Sequence, residues 1–145
     1  MREELLKKIS DKLIEQLKPL DPELVIICGS LARGKFVKNL SDVDLLIVSE
    51  KFKSMNPLER IPFMLQYIDL NLPVDVVCYT PSEFINGLKK MMLFILDAVE
   101  YGVPIIDKKN LFKQAKRILE KLKQEQGLKP TRSGWMIKSK AVHKP

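Results

Sequence analysis

Residues 41–49, SDVDLLIVS, read as a buried strand with two acids, Asp42 and Asp44, at its entrance. Side chains alternate across a strand, so both carboxylates point to the same face. An ionised carboxylate is costly at the edge of an apolar core. Two of them side by side repel, and one pKa rises sharply unless a cation lies between them. The chain must therefore fold so that this strand is buried along its length and opens on a polar pocket at its start.

The surrounding pattern supplies the rest of that fold. Residues 3–18 set Leu5, Leu6, Ile9, Leu13 and Leu17 at helical spacing, and Pro19 and Pro22 end the helix. ELVIICG (23–29) is a β-branched run closed by glycine, and PVDVVCYT (73–80) is another strand. Residues 57–70 read as a helix bent or delayed by Pro62. One helix is expected over 82–101, capped by Ser82 and stopped by Gly102, then a short strand at 103–106 and an amphipathic helix over 110–126. Helices alternating with a few strands predict an α/β (α+β) domain with a small mixed sheet. The link from Ser30 to Leu40 is too short for a full crossover helix, so the first two strands are expected to pair antiparallel.

With 145 residues, 46% hydrophobic and 30% charged, the chain is expected to form one soluble domain. The charged start MREELLKK does not resemble a secretory leader, and MMLFIL (91–96) is too short to cross a bilayer. A cytoplasmic protein without membrane contact is the expectation. Cys28 and Cys78 have neither metal-ligand spacing nor disulfide density. His143 is the one histidine and lies near the end. Histidine-based nucleophilic catalysis and histidine zinc sites in the core are thereby excluded. Any chemistry must run on carboxylates, hydroxyls, lysines or metals held by oxygen.

Asp75, inside the apolar run PVDVVCY, is the third acid that needs a reason. If its strand lies beside the second, it reaches the same place as Asp42 and Asp44. Three carboxylates suit divalent cations such as Mg²⁺, which take one or two protein carboxylates and fill their other positions with water and phosphate oxygens. Asp75 is also placed to accept the proton of an attacking hydroxyl. Gly29 and Ser30 follow a strand and open a short helix whose free N–H groups suit phosphate, with Arg33 and Lys35 adding charge and Gly34 ending the helix. Taken singly, each element has a plainer reading: an ordinary turn, an Asx-type bond at Ser41-Asp42, a solvent-facing strand residue, solvated cations. The joint pattern favours a phosphate and metal site.

GSLARG followed by SDVDLLIV resembles the minimal nucleotidyltransferases of the DNA polymerase β superfamily. The resemblance covers about residues 20–107 and sits in an expected nucleotidyltransferase domain spanning 1–126. It implies a polymerase β palm-like fold, a nucleotide held at Gly29, Ser30 and Arg33, and two Mg²⁺ ions at Asp42, Asp44 and Asp75. The implied reaction moves a nucleoside monophosphate, AMP from ATP or another NTP, to an acceptor hydroxyl and releases pyrophosphate. Relatives pair with a helical toxin and act as its antitoxin, by modifying it or by binding alone, while others modify nucleic acids or small molecules.

The helix 82–101, apolar nearly all round, reads as core or as an oligomer or partner interface. Of the net charge of +7, five basic residues belong to 126–145, which hold no acid. This basic C-terminal tail (127–145) with Trp135 reads as disordered, as docked by its tryptophan, or as an anchor for single-stranded nucleic acid. It lies outside the resemblance.

Overall fold

The computed structural model describes residues 2–138, so the readings that involve Lys140, His143 and Lys144 lie outside the described residues. Four strands form the sheet: β1 (Leu24–Cys28), β2 (Val43–Val48), β3 (Val74–Tyr79) and β4 (Val103–Asp107), in the order β3-β2-β1-β4. As expected, β1 pairs antiparallel with β2; β3 lies beside β2 and parallel to it, which meets the condition set for Asp75. β4 closes the other side of β1.

Both faces of this sheet are covered, which is why its central strands read as unbroken apolar runs rather than as alternating ones. Leu24, Ile26, Cys28, Leu46 and Val48 face one core, packed by α4 (Pro81–Lys89), α5 (Leu93–Tyr101) and α6 (Leu111–Gln126) through Phe84, Leu88, Ile95, Val99 and Ala115. Val25, Ile27, Val43, Leu45 and Ile47 face a second core, built with Ile9, Leu13 and Leu17 of α1 (Arg2–Leu17) and Met64 of α3 (Pro57–Leu65). β1 is buried at all five positions. Burying a side chain such as Leu24 or Ile26 stabilises the fold by about 1.5–3 kcal/mol.

The expected helix over 82–101 is two helices. Met91 takes a left-handed backbone (φ 59°), and Met92 precedes the first turn of α5. A Cβ on Gly87 would lie 2.5 Å from Ile95 Cδ1 and 2.9 Å from Met92 Sδ, so the glycine lets α5 fold back closely on α4. The cap also differs from the expected Ser82. Thr80 accepts from the Glu83 N–H while the Glu83 carboxylate accepts from the Thr80 N–H, a reciprocal pair, with Pro81 at the first helical position. Glu83 also holds the buried Arg60 through two hydrogen bonds of 2.6 and 3.3 Å. That guanidinium keeps the Glu83 carboxyl below its usual pKa.

The expected helix over 57–70 stops at Leu65. Asp107, ending β4, caps α6 by accepting from the N–H groups of Leu111 and Phe112 at 2.8 and 3.2 Å. Much of the segment read as a tail is ordered: β5 (Leu128–Thr131) and β6 (Gly134–Ile137) form an antiparallel hairpin. Gly127, left-handed at φ 66°, turns the chain out of α6, and its carbonyl accepts from the Lys138 N–H at 3.1 Å. Leu128 is buried and Trp135 packs on the α4–α5–α6 core. Of the readings open for the tryptophan, docking on a neighbouring surface is the one observed. Among the described residues no helix is long and apolar enough to cross a membrane.

Candidate active site

The two chain reversals around β1 and β2 place the acids. Asp44 stands opposite Cys28 in the β1–β2 pairing and opposite Asp75 in the parallel β2–β3 pairing. Adjacent strands lie about 4.8 Å apart, so Asp44 and Asp75 project from neighbouring backbones at one level. Leu46 and Val48, two and four residues beyond Asp44, and Val77 and Tyr79 beyond Asp75, belong to the α4–α5–α6 face. By alternation Asp44 and Asp75 share that face, at the end of the sheet where β1 finishes and β2 and β3 begin. Asp42 lies just ahead of β2 and is exposed, as is Asp75, while Asp44 is half-buried.

None of the three carboxylates accepts a hydrogen bond or forms an ion pair among the described residues. Burial raises the Asp44 pKa above its ordinary value, and the negative charges of Asp75 and then Asp42 raise it further. The acids therefore lie within electrostatic reach of one another and lack a counter-charge. As the side chains stand, no three His, Cys, Asp or Glu residues among those described form a ready cage for a metal ion. The donor set is all oxygen and anionic, which fits a hard divalent cation that brings waters and phosphate oxygens of its own.

Beside the acids, β1 ends in α2 (Gly29–Ala32). Gly29 is left-handed at φ 64°, and a Cβ there would collide with the Asp44 carboxylate, with Cγ at 3.0 Å and Cβ at 3.2 Å. Only glycine meets both conditions, so the turn touches the acid directly. No side chain caps α2, and the Ser30 hydroxyl has no partner among the described residues. Arg2, the first residue of α1, holds the other end of α2 by donating to the carbonyls of Leu31 (3.2 Å) and Ala32 (2.5 Å). Gly34 (φ 75°) follows the helix and its N–H returns to Leu31.

Arg33, at the end of α2, stacks its guanidinium over the Tyr101 ring of α5 at 4.0 Å. Stacking leaves the edge N–H groups free to donate. The Cys28 thiol beneath is pushed up to about 12, chiefly by burial and further by Asp44 and Asp97. Asp97 is a further carboxylate on α5, the helix packed over β1, and its Oδ1 accepts the Trp135 indole N–H at 2.7 Å.

The structure thus sets Gly29 against Asp44 and puts Asp75 level with Asp44 on the next strand, with Ser30 following Gly29, Asp42 exposed just ahead of β2 and Arg33 at the end of α2. Sequence reasoning missed Asp97, Tyr101 and Arg2. Asp97 interrupts an otherwise apolar helix face, a signal of the same kind that marked Asp75, but it carries weight only once α5 is known to lie over β1.

A family model described as a nucleotidyltransferase domain matches residues 6–129. Among solved structures, a candidate nucleotidyltransferase from Sulfolobus solfataricus shares 30% identity over 57% of this chain and 72% of its own, with a TM-score of 0.44. A toxin–antitoxin structure with AMP-PNP is 17% identical over 81% of this chain and 92% of its own, at a TM-score of 0.50. A mutant of the toxin–antitoxin pair MntA-HpeT is 15% identical with the same coverage, at 0.48. No curated protein matches at a significant level.

Proposed function

The chain belongs to the nucleotidyltransferase domain family, and from that membership we propose a Mg²⁺-dependent transfer of AMP from ATP to a hydroxyl on a partner protein, in the cytoplasm. The observation that carries this reading is the contact of Gly29 with Asp44, with Asp75 in register on the next strand. It sets a phosphate-binding turn against a pair of uncompensated carboxylates.

In this reading Asp42, Asp44 and Asp75 would hold Mg²⁺, which would neutralise polyphosphate charge, activate the attacking hydroxyl and stabilise the leaving oxygen. The N–H groups opening α2 and the Ser30 hydroxyl donate to phosphate oxygens. Arg33 adds a fixed positive charge. The acceptor oxygen bonds to the α-phosphorus, its proton passes to Asp75, and the bond to the β-phosphate oxygen breaks to release pyrophosphate. A half-buried Asp44 flanked by two acids gains more from a cation than an exposed one would.

A protein acceptor, with this chain as the antitoxin that modifies a toxin, is in keeping with the likeness to a toxin–antitoxin structure with AMP-PNP. A nucleic-acid substrate anchored by the C-terminal segment is disfavoured. Trp135, the aromatic it would stack on bases, packs on the core and gives its N–H to Asp97. Incubation with labelled ATP, Mg²⁺ and the protein that co-purifies with the chain should transfer label to that protein, and Asp44→Asn should lower transfer at least 100-fold. If both Asp44→Asn and Asp42→Asn still neutralise the partner, the chain acts by binding alone.

A further inference from the structure

The link from α2 to β2 and the link from α3 to β3 arrive together at the end of the sheet that holds the acids. The Val43 N–H donates to the Pro73 carbonyl at 2.8 Å and joins the two links just ahead of Asp44 and Asp75. On the α1 side of that junction, Leu5, Ile9, Phe36, Leu70 and Leu72 form the apolar part of a cavity of about 250 Å³. Leu5, Phe36 and Leu72 are only partly buried against the core there. Asp44 and Asp75 belong by alternation to the other face of the sheet, so the groove flanks the candidate site without being part of it.

The polar lining is of one sign. Lys8, Lys12 and Lys38 line the cavity, and no acid does. None of the three forms an ion pair among the described residues, and Asp11, between the first two in sequence, is held by Lys7 at 2.8 Å. Lys8 and Lys12 stand one helical turn apart on α1, about 6 Å along its axis. The link that brings Lys38 is ordered by its own bonds. The Val37 N–H donates to Ser41 Oγ at 3.0 Å, and the Val37 carbonyl accepts from the N–H groups of Leu40 and Ser41 at 3.0 and 2.8 Å. That closed turn keeps Val37 and Leu40 in water, Leu40 at 84% exposure. A fixed turn with apolar tips, beside an apolar groove and unpaired lysines, has the makings of a recognition surface.

We propose that this groove docks an acidic segment of the acceptor protein, with an apolar side chain seated between Phe36 and Leu72 and flanking carboxylates on Lys8, Lys12 and Lys38. The inference rests on the protein-acceptor reading above. Charge complementarity selects the partner: a basic segment is repelled by three ammonium groups, and an all-polar one leaves the apolar lining in water. Size narrows it further. Pockets that enclose drug-sized ligands run to about 300–1,000 Å³, so this smaller one suits a side chain presented by a peptide. Its concave shape suits a peptide better than a bilayer surface.

Labelled, capped peptides read by fluorescence anisotropy test the groove without nucleotide or Mg²⁺. Glu-Glu-Leu-Phe-Glu-Glu should bind saturably and more weakly as salt rises, while Glu-Glu-Ser-Ser-Glu-Glu and Lys-Lys-Leu-Phe-Lys-Lys should not bind. Lys8 and Lys38 are exposed, so reversing both, Lys8→Glu with Lys38→Glu, should leave the melt unchanged and weaken peptide binding by about 10-fold or more. In the transfer assay the same variant should raise the KM for the protein acceptor and leave the KM for ATP unchanged. Peptide affinity within twofold of wild type in the variant, or no preference for the acidic apolar peptide, would overturn the proposal. So would lysine-dependent binding to phosphatidylserine vesicles in place of the peptide. Lysine-dependent peptide binding by a protein that transfers no nucleotide would uphold the groove and remove the reaction. Transfer with an unchanged acceptor KM would remove the groove and leave the reaction.

Discussion

Gly29→Ala separates two effects that meet at one backbone position. The first is conformational: at φ 64° an L-residue incurs about 1–2 kcal/mol that glycine does not. For a chain of this size that alone lowers Tm by roughly 3–8 °C. The second is the new methyl group, which meets the Asp44 carboxylate, its Cγ at 3.0 Å and its Cβ at 3.2 Å. Because the carboxylate is the free end of a side chain, it can swing away. The steric part therefore appears mostly as misplacement of Asp44, for which a displacement of about 1 Å is enough to lower transfer 100-fold. Thermal melts and transfer rates of Gly29→Ala, Asp44→Ala and the double variant form a cycle. With the carboxylate removed, the glycine substitution should retain its conformational cost and the weaker contact with the Asp44 Cβ, so any coupling in the melts is at the low end of about 0.5–3 kcal/mol. A Gly29→Ala protein with wild-type Tm and rate would refute the argued contact.

Asp44→Asn should stabilise the metal-free protein while abolishing transfer. A carboxyl whose folded pKa is raised costs stability wherever it is ionised, so the gain is full at pH 7. The gain should shrink as pH falls through the raised value and vanish below about pH 4, which melts across that range will show. Added Mg²⁺ should raise the wild-type Tm and leave the variant's nearly unchanged. Glu83→Gln should act in the opposite sense. The Glu83 pKa is depressed by Arg60, so its contribution is present above the unfolded carboxyl value and is lost as pH falls through the folded one. The variant should melt lower at pH 7, by about 1–3 kcal/mol of charged hydrogen bonding, and converge with the wild type in acid.

The sheet and the acids were legible because they depend on short-range rules. Apolar β-branched runs mark β1, β2 and β3, and a two-residue period puts Asp42 and Asp44 on one face whatever surrounds them. The partnership of Asp75 with Asp44 needed one further fact, the adjacency of β2 and β3, which the sequence allows but does not state. The break between α4 and α5 was hidden because KKMMLF has good helix formers on both sides of Met91. Its cause is tertiary: the two helices gain more by folding together across Gly87 than by continuing as one. The hairpin was obscured by its basic composition. Its signals were the paired apolar positions Leu128 and Ile137, Pro130 and Trp135, around a turn that ends in glycine.

In the strand order β3-β2-β1-β4, the strand synthesised first sits in the middle of the sheet. Both flanks of β1 are recruited later, the last of them about eighty residues downstream. A nascent chain that already carries Gly29, Asp44 and Asp75 still exposes one edge of that strand until Asp107 has emerged. The nucleotide pocket should accordingly appear late and all at once during synthesis, with little capture of ATP by incomplete chains.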